Sequence, residues 1–244
     1  MVYNGYTRSK YTEHNTHMKE FTEWDPTNKN TFPVNFTEFM QEMQIYRAAI
    51  KEIQTKLEIL DTEFEVKYDY NPIHHIESRL KTPSSIFGKL KKDQKPLTIE
   101  AMREYLNDIA GVRVICNYID DARRIAEMLI AQDDITLIRK KDFISEPKEN
   151  GYRSLHLVLS IPIYLAGGRQ NVRVEVQIRT IAMDLWASLE HHLHYKGDEA
   201  LSSELTERLK ACADTLQNID DEMQEIYRDI KGCKEYSKVH YMIR

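Results

Sequence analysis

The strongest constraint on the fold is the stretch VRVEVQIRT at residues 172–180, in which apolar and polar side chains alternate strictly. A period of two predicts a β-strand with one buried face and one polar face, and Glu175 lies in the middle of the polar row. At about 3.4 Å per residue this row extends roughly 20 Å, the length of a nucleotide laid along a sheet. The alternative is a solvated sheet face, which is common in antiparallel sheets.

The remaining pattern predicts an α+β fold. Further strands are expected at about residues 74–80, 110–117, 135–141 and 154–164, with helices between them. Together with the strand at 172–179 they predict a mixed five-stranded sheet flanked by helices.

Long helices are predicted at both ends of this core. Apolar residues at steps of three and four predict a helix from about 35 to 65, and similar patterns predict helices at about 181–196 and 200–230. In the helix at 181–196, Leu185, Trp186, Leu189 and Leu193 are expected to form the core stripe. Residues 1–33 are polar and lack periodicity, so we expect a flexible arm before a single domain at 34–244.

Composition excludes several classes of protein. The 34 basic and 39 acidic residues give a formal charge of −5, so the whole molecule has no general attraction for nucleic acid or anionic membranes. No apolar run approaches the length of a membrane span or a signal peptide, which predicts a cytoplasmic protein. The three cysteines form no CxxC pair, so we expect reduced thiols without a disulfide framework or a thiolate zinc site.

The segment SRLKTPSSIFGKLKK at residues 78–92 contains five cations and no acid. Thr82 can cap a helix whose first position is Pro83, and Ser85 then lies in the first turn, where free N–H groups favour an anion. Lys89 and Lys92 follow Ser85 on the same helix face, so this face can hold a triphosphate. The alternative is an ordinary basic surface helix.

A carboxylate stands at the entrance of the strand DIAGVRVIC at residues 108–116. Asp108 can cap the chain locally or hold Mg²⁺, which takes one or two carboxylates together with phosphate oxygens. Arg113 shares a strand face with Gly111, which leaves room for a base or phosphate, although a surface arginine would fit the pattern equally well.

The loop KENGYRSLH at residues 148–156 carries more donors, cations and rings than its Asn-Gly turn requires. This surplus suggests a ligand with both a phosphate and a flat base. A second cluster, formed by Glu190, His191, His192 and His194, raises the alternative of a zinc site. The chain contains neither an HExxH motif nor the His-Asp pair of metal-dependent nucleotide hydrolases.

Taken together, these motifs resemble the (p)ppGpp synthetase domain of the RelA/SpoT family, and most closely the small single-domain synthetases of the RelP kind. The resemblance covers about residues 35–230 and includes the segments RKKDFISEP and VEVQIRTIAMDLWASLEH. It implies a sheet of nucleotidyltransferase type and transfer of the β,γ-diphosphate of ATP to the 3′-OH of GDP or GTP with Mg²⁺. It also implies a synthetase without hydrolase activity and a homotetramer assembled through the terminal helices.

The resemblance implies roles for individual residues. Glu175 matches the carboxylate that takes the 3′-OH proton, and the resemblance also implies that it approaches the metal held by Asp108. The residues implied on the ATP side are Arg79, Lys81, Ser85, Lys89, Lys92 and Arg113, with Arg79 and Arg113 sandwiching the adenine. The residues implied on the GDP or GTP side are Lys148, Asn150, Tyr152, Arg153, His156, Gln177, Arg179 and Asp184.

Within the acceptor set, Tyr152 is expected to stack on guanine, and Lys148 and Arg153 to reach the acceptor phosphates. Asp184 stands where relatives commonly have Asn. The basic stretch from Arg139 to Asp142 matches the form of the family signature that is associated with a less strict preference for GDP as the acceptor.

A binding protein is the competing class, either an inactive relative or a module for single-stranded RNA. The presence of Asp108 and Glu175 argues against an inactive relative, and the negative net charge argues against RNA as the main ligand.

Overall fold

The computed structural model describes residues 33–196 and 202–231. Nearly all of the predicted N-terminal arm, together with Cys233, lies outside the described residues. The helices are α1 (Phe36–Tyr68), α2 (Pro83–Lys92), α3 (Ile99–Tyr105), α4 (Ile119–Ile130), α5 (Ile181–Lys196) and α6 (Ser203–Lys231). The strands are β1 (Ile73–Leu80), β2 (Ala110–Cys116), β3 (Thr136–Asp142), β4 (Leu155–Leu165) and β5 (Gly168–Thr180).

The five strands form one mixed sheet in the order β1-β2-β5-β4-β3. β2 and β5 are parallel neighbours, whereas β1 with β2, β4 with β5, and β3 with β4 are antiparallel. The predicted α+β class and mixed five-stranded sheet are confirmed. β5, the strand with strict alternation, lies in the centre, between β2 and β4.

Capping residues begin the helices where the sequence indicates. The Asn35 side chain accepts hydrogen bonds from the backbone of Thr37 and Glu38 at the start of α1. The Thr82 hydroxyl accepts from the backbone of Ser85, and Pro83 occupies the first turn of α2, as predicted. Two residues separate the end of β1 from the start of α2.

The apolar face of the sheet is covered by α1 and α4, whose inward side chains join one core. Fully buried residues of this core include Phe39, Ile53, Ile125, Val114 and Val176. Since a buried aliphatic side chain contributes about 1.5–3 kcal/mol, this core fixes the direction of every alternate residue on β2 and β5. The polar residues between them consequently lie on the opposite face.

Strand register aligns the polar residues in two rows across the sheet. In the first row, Arg79 is paired with Gly111 and Gly111 with Glu175. In the second row, the paired residues in order are Glu77, Arg113, Gln177, His156 and Lys141. The fold therefore brings predicted residues of both nucleotide sides onto one surface.

The prediction that Leu185, Trp186, Leu189 and Leu193 of α5 lie in the core is correct only for Trp186. Trp186 is 5% exposed, but Leu185, Leu189 and Leu193 are 49%, 56% and 50% exposed. α5 leaves the end of the sheet and packs on α6 through Trp186 and Ala187, so its leucine side has no described element against it. None of the described helices is long and apolar enough to cross a membrane.

Candidate active site

Three residues predicted on the ATP side or at the metal meet where β1, α2 and the loop before β2 converge. Lys81 Nζ lies 2.6 Å from Asp108 Oδ2, and Lys89 Nζ lies 3.0 Å from both Asp108 oxygens. Burial alone would raise the pKa of Asp108, but the two lysines outweigh burial and hold it below the ordinary value. The cluster contains two cations and one carboxylate, and therefore retains a positive charge.

The other residues predicted on the ATP side surround this cluster at the surface. The Ser85 hydroxyl is 2.8 Å from the Thr82 hydroxyl within the cap of α2. Arg79 and Lys92 are exposed, Arg79 on the sheet edge opposite Gly111 and Lys92 at the end of α2. Arg79 and Lys92 therefore add exposed positive charge to β1 and α2, the elements that lead to Lys81 and Lys89.

Arg113 is held between two carboxylates. Its Nη1 is 3.1 Å from Glu77 Oε2 and 3.5 Å from Asp184 Oδ1. Asp184 Oδ1 also accepts a hydrogen bond of 3.0 Å from Arg179. Asp184 thus links an arginine predicted on the ATP side to one predicted on the acceptor side. The carboxylate Glu77 was not among the predicted site residues.

Glu175 is half-buried in the polar row of β5. Gln177 Nε2 donates to Glu175 at 3.1 Å, and His156 Nδ1 lies 3.7 Å from it. Burial and the charge of Asp108 both raise the pKa of Glu175, but His156 and Gln177 hold it below the ordinary glutamate value. Glu175 is therefore ionised at neutral pH and can accept a proton or a cation.

On the acceptor side, Tyr152 lies at the centre of a hydrogen-bonded network. Its hydroxyl is 2.7 Å from His156 Nε2 and accepts a hydrogen bond of 2.7 Å from Arg179. Lys148 Nζ lies 4.6 Å from the centre of the Tyr152 ring, and Asn150 Oδ1 accepts from the Tyr152 backbone at 3.2 Å. The loop at 148–156 therefore places the Tyr152 ring beside Lys148 and Arg179, and His156 at its end reaches Glu175.

Phe143 is a further ring that the sequence interpretation missed. It packs edge-on against Tyr152 at 6.0 Å and against His156 at 5.3 Å. Its position directly after the basic strand β3 is a weak signal in the sequence, because only the pairing of β3 with β4 brings it to the loop.

The prediction that Arg153 reaches the acceptor phosphates is not supported by its placement. Arg153 is 8% exposed and faces α6, where its Nη1 is 4.0 Å from Asp220 Oδ2. Successive residues of an extended chain point to opposite sides, so the orientation of Tyr152 turns its neighbour Arg153 away from the polar face.

The metal-ligating groups are few. Among residues 33–196 and 202–231, no group of three His, Cys, Asp or Glu side chains could hold a metal ion. The zinc alternative would require such a group around His191 and His192, and the His194 side chain lies outside the described residues. Asp108 and Glu175 are near enough for their charges to interact, which fits an ion that also takes ligands from phosphate.

Comparison with known proteins agrees with this geometry. The family described as "Region found in RelA / SpoT proteins" matches residues 78–200. The chain is 38% identical to GTP pyrophosphokinase YwaC of Bacillus subtilis over 193 residues, covering 79% of this chain and 92% of the relative. It is also 38% identical to GTP pyrophosphokinase YjbM of the same organism over 190 residues, covering 78% of this chain and 88% of the relative.

Solved structures give the same result. The B. subtilis small alarmone synthetase 1 bound to its product pppGpp superposes with a TM-score of 0.72 at 35% identity, over 79% of this chain and 98% of that one. A GTP pyrophosphokinase family protein from Streptococcus pneumoniae gives a TM-score of 0.73 at 30% identity, over 82% and 97% of the two chains. This chain therefore belongs to the RelA/SpoT family.

Proposed function

We propose that the protein is a GTP pyrophosphokinase that transfers the β,γ-diphosphate of ATP to the 3′-OH of GDP or GTP, forming ppGpp or pppGpp. The observation that carries the proposal is the position of Glu175, an ionised carboxylate between a cationic cluster and an aromatic loop. The names of the related proteins, GTP pyrophosphokinase and small alarmone synthetase, support the same activity.

The donor side contributes charge stabilisation. Lys81 and Lys89 are both paired with Asp108. Their ammonium groups can turn to the phosphates of ATP, where negative charge shifts to the leaving group during transfer. Arg79 and Arg113 flank Gly111, whose missing side chain leaves space for the adenine between them.

Glu175 is the proposed general base. Its depressed pKa keeps it ionised, and its place on the central strand fixes its direction. The 3′-OH of the acceptor transfers its proton to a Glu175 oxygen as that hydroxyl oxygen attacks the β-phosphorus. The bond from this phosphorus to the α,β-bridging oxygen then breaks and releases AMP.

The acceptor side orients the guanine nucleotide. We propose that Tyr152 stacks on the guanine and that Lys148 and Arg179 attract its phosphates. Arg179 is buried, and its contacts with Asp184 and Tyr152 hold it in place. His156, Gln177 and Asn150 support this arrangement through their bonds to Tyr152 and Glu175.

We propose that Asp108 and Glu175 hold Mg²⁺ together with phosphate oxygens of the substrate. When bound, Mg²⁺ neutralises charge on the transferred diphosphate. The ion pairs of Asp108 with Lys81 and Lys89 support this proposal, because they mark Asp108 as a carboxylate with cationic partners.

We also propose that residues 34–244 form a single synthetase domain. Four copies of the chain assemble as a homotetramer, and the protein is located in the cytoplasm. The exposed apolar stripe of Leu185, Leu189 and Leu193 on α5 supports self-association, since contiguous exposed leucines mark interaction surfaces. ATP and GTP as substrates support the cytoplasmic location. The absence of a His-Asp pair supports synthesis without hydrolysis.

The test is to incubate the protein with Mg²⁺, ATP and GMP, GDP or GTP in turn, and to identify the products by mass. We expect AMP together with a guanine nucleotide that has gained a diphosphate. Release of ADP and phosphate alone would assign a different reaction to the site. Loss of the purified product on incubation with the protein without ATP would contradict the absence of hydrolysis.

A further inference from the structure

We propose that helix α6 is a working part of the acceptor site, and that Ala213 and Asp220 on it are positioning residues for the loop that carries Tyr152. This inference rests on the proposed function, because it assigns to α6 the placement of the guanine nucleotide. Three consecutive loop residues, 151–153, are held against the helix by three different kinds of contact.

The first contact is a close approach of two backbones. Gly151 has φ of +87°, and a β-carbon built there would lie 2.4 Å from Cβ of Ala213. Two requirements therefore coincide at Gly151, a left-handed backbone and the lack of a side chain. The loop touches α6 at this point, and a larger residue on either side would displace it.

The second contact is apolar. Tyr152 packs on a small cluster formed by Trp186, Ala187 and Ala213, which is separate from the main core. Trp186 is itself tied to α6, because its Nε1 donates to the Leu209 carbonyl at 2.9 Å. One edge of the proposed guanine-stacking ring is therefore supported by the junction of α5 and α6.

The third contact is a buried pair of charges. Arg153 and Asp220 are 8% and 6% exposed, and Arg153 Nη1 is 4.0 Å from Asp220 Oδ2. Asp220 also accepts a hydrogen bond of 2.7 Å from Thr180, the last residue of β5. Since β5 carries Glu175, Asp220 links the acceptor loop to the strand of the proposed base.

Arg153 and Asp220 both line a small cavity, in which Asp220 is the charged partner of Arg153. Arg153 Nε is buried without a hydrogen-bond partner among the described residues, and the cavity, which lies between the loop, α5 and α6, is also lined by Trp186 and Gln217. Burial is also the main cause that raises the pKa of Asp220. A buried arginine that loses its carboxylate would have to move toward solvent, and the loop would move with it.

The test compares substitutions at buried positions of α6, which face the loop, with the same substitutions at exposed positions of the helix. Ala213→Val places two methyl groups against Gly151, and Asp220→Asn removes the partner of Arg153. The controls, Ala211→Val and Asp229→Asn, make the same changes at exposed positions of the same helix. Circular dichroism and thermal melting confirm that each variant folds.

We expect Ala213→Val and Asp220→Asn to raise the KM for GDP or GTP about 5- to 100-fold, the range that small displacements of a binding group produce. The KM for ATP should change less than about twofold, because Lys81 and Lys89 do not touch α6. Both controls should match the wild type. Equal changes in the two KM values, or unchanged values in folded variants, would overturn the proposal.

A double substitution separates positioning from direct contact with the nucleotide. Arg153→Met alone should raise the acceptor KM. Adding Asp220→Asn should return it to within about threefold of the wild type, because it removes the unpaired buried charge and keeps an acceptor for Thr180. If Arg153 contacts the nucleotide itself, the double variant will stay as impaired as Arg153→Met.

A wild-type protein that does not transfer diphosphate would instead refute the proposed function. In that case, titration with a fluorescent GDP analogue in the absence of ATP would still measure the effect of α6 on acceptor binding. We expect Ala213→Val to bind the analogue more weakly than the wild type. Unchanged binding would overturn the proposal.

Discussion

At the scale of single residues, the polar network around Glu175 supports the proposal that this carboxylate on the central strand acts as a base. His156 and Gln177 keep Glu175 ionised, while Arg179 and Tyr152 extend the network to the acceptor loop. These residues come from β4, β5 and the loop before β4, and only strand pairing brings them together.

Glu175→Gln should lower kcat about 10²- to 10⁴-fold, because the change preserves shape and hydrogen bonding but removes the proton acceptor. Nucleotide binding should remain, and it can be measured separately by calorimetry. Glu127→Gln, at an exposed position of α4, is the matched control. If Glu175 is only a sheet-face residue, the folded variant will retain more than about a tenth of wild-type turnover, since exposed pairs contribute only about 0–1 kcal/mol.

Tyr152 allows its ring and its hydroxyl to be tested separately. Tyr152→Ala should raise the KM for GDP or GTP about 10- to 100-fold, because stacking contributes about 1–3 kcal/mol per base. Tyr152→Phe keeps the ring and should raise the same KM much less, while losing the bonds to Arg179 and His156. Steady-state kinetics with each substrate varied in turn measure both effects. A parallel rise in the KM for ATP would show that the ring only supports the loop.

At the scale of elements, the sequence predicted the strands well because alternation of apolar and polar residues reports burial on one face. β5 and β2 illustrate this, since their alternating valines, Val172, Val174 and Val176 on β5 and Val112 and Val114 on β2, all lie in the core. The helix α5 shows the limit. Its leucines at steps of four indicate an apolar side, but periodicity does not reveal which element, if any, covers that side.

The candidate site shows the same limit. Asp108, Lys81 and Lys89 could be named from their motifs, because each motif is local in sequence. Asp220 could not be named, because its role depends on how α6 docks against the loop and no local pattern encodes that contact. The direction of Arg153 toward α6 could not be predicted either, because it depends on how the loop docks against that helix.

A buried carboxylate at the start of α4 makes stability depend on pH. Asp121 is 1% exposed and accepts a hydrogen bond from the Tyr70 hydroxyl, and burial is the main cause that raises its pKa to about 7, opposed by Tyr70 and Arg124. In the unfolded chain its pKa is near 3.8. Between these values the folded state keeps a proton that the unfolded state releases, so this group makes the protein less stable as pH rises from 4 to 7.

Asp121→Asn removes this titration but preserves an acceptor for Tyr70. We expect the variant to melt at a higher temperature than the wild type at pH 8, with the advantage lost near pH 4. Calorimetry across this range measures the difference, and Asp133→Asn, at an exposed position, is the control. A difference in melting temperature that does not change with pH would show that Asp121 does not titrate in this range.

At the scale of the whole molecule, the leucine stripe on α5 predicts self-association. We expect light scattering to give four times the chain mass of 28.8 kDa. Leu189→Glu places a charge on the stripe and should dissociate the assembly, whereas Tyr164→Glu, at a position that is 75% exposed on β4, should leave it intact. A tetramer that persists in Leu189→Glu would move the interface away from α5.

The central claim is that an intact diphosphate moves from ATP to the guanine nucleotide. The most direct measurement uses ATP with ¹⁸O in the nonbridging oxygens of both the β- and γ-phosphates, incubated with GDP or GTP and Mg²⁺, with products identified by mass spectrometry. The account predicts unlabelled AMP and an equal amount of guanine nucleotide that carries the label of both phosphates. Labelled ADP, or a guanine product with label from one phosphate only, would contradict it.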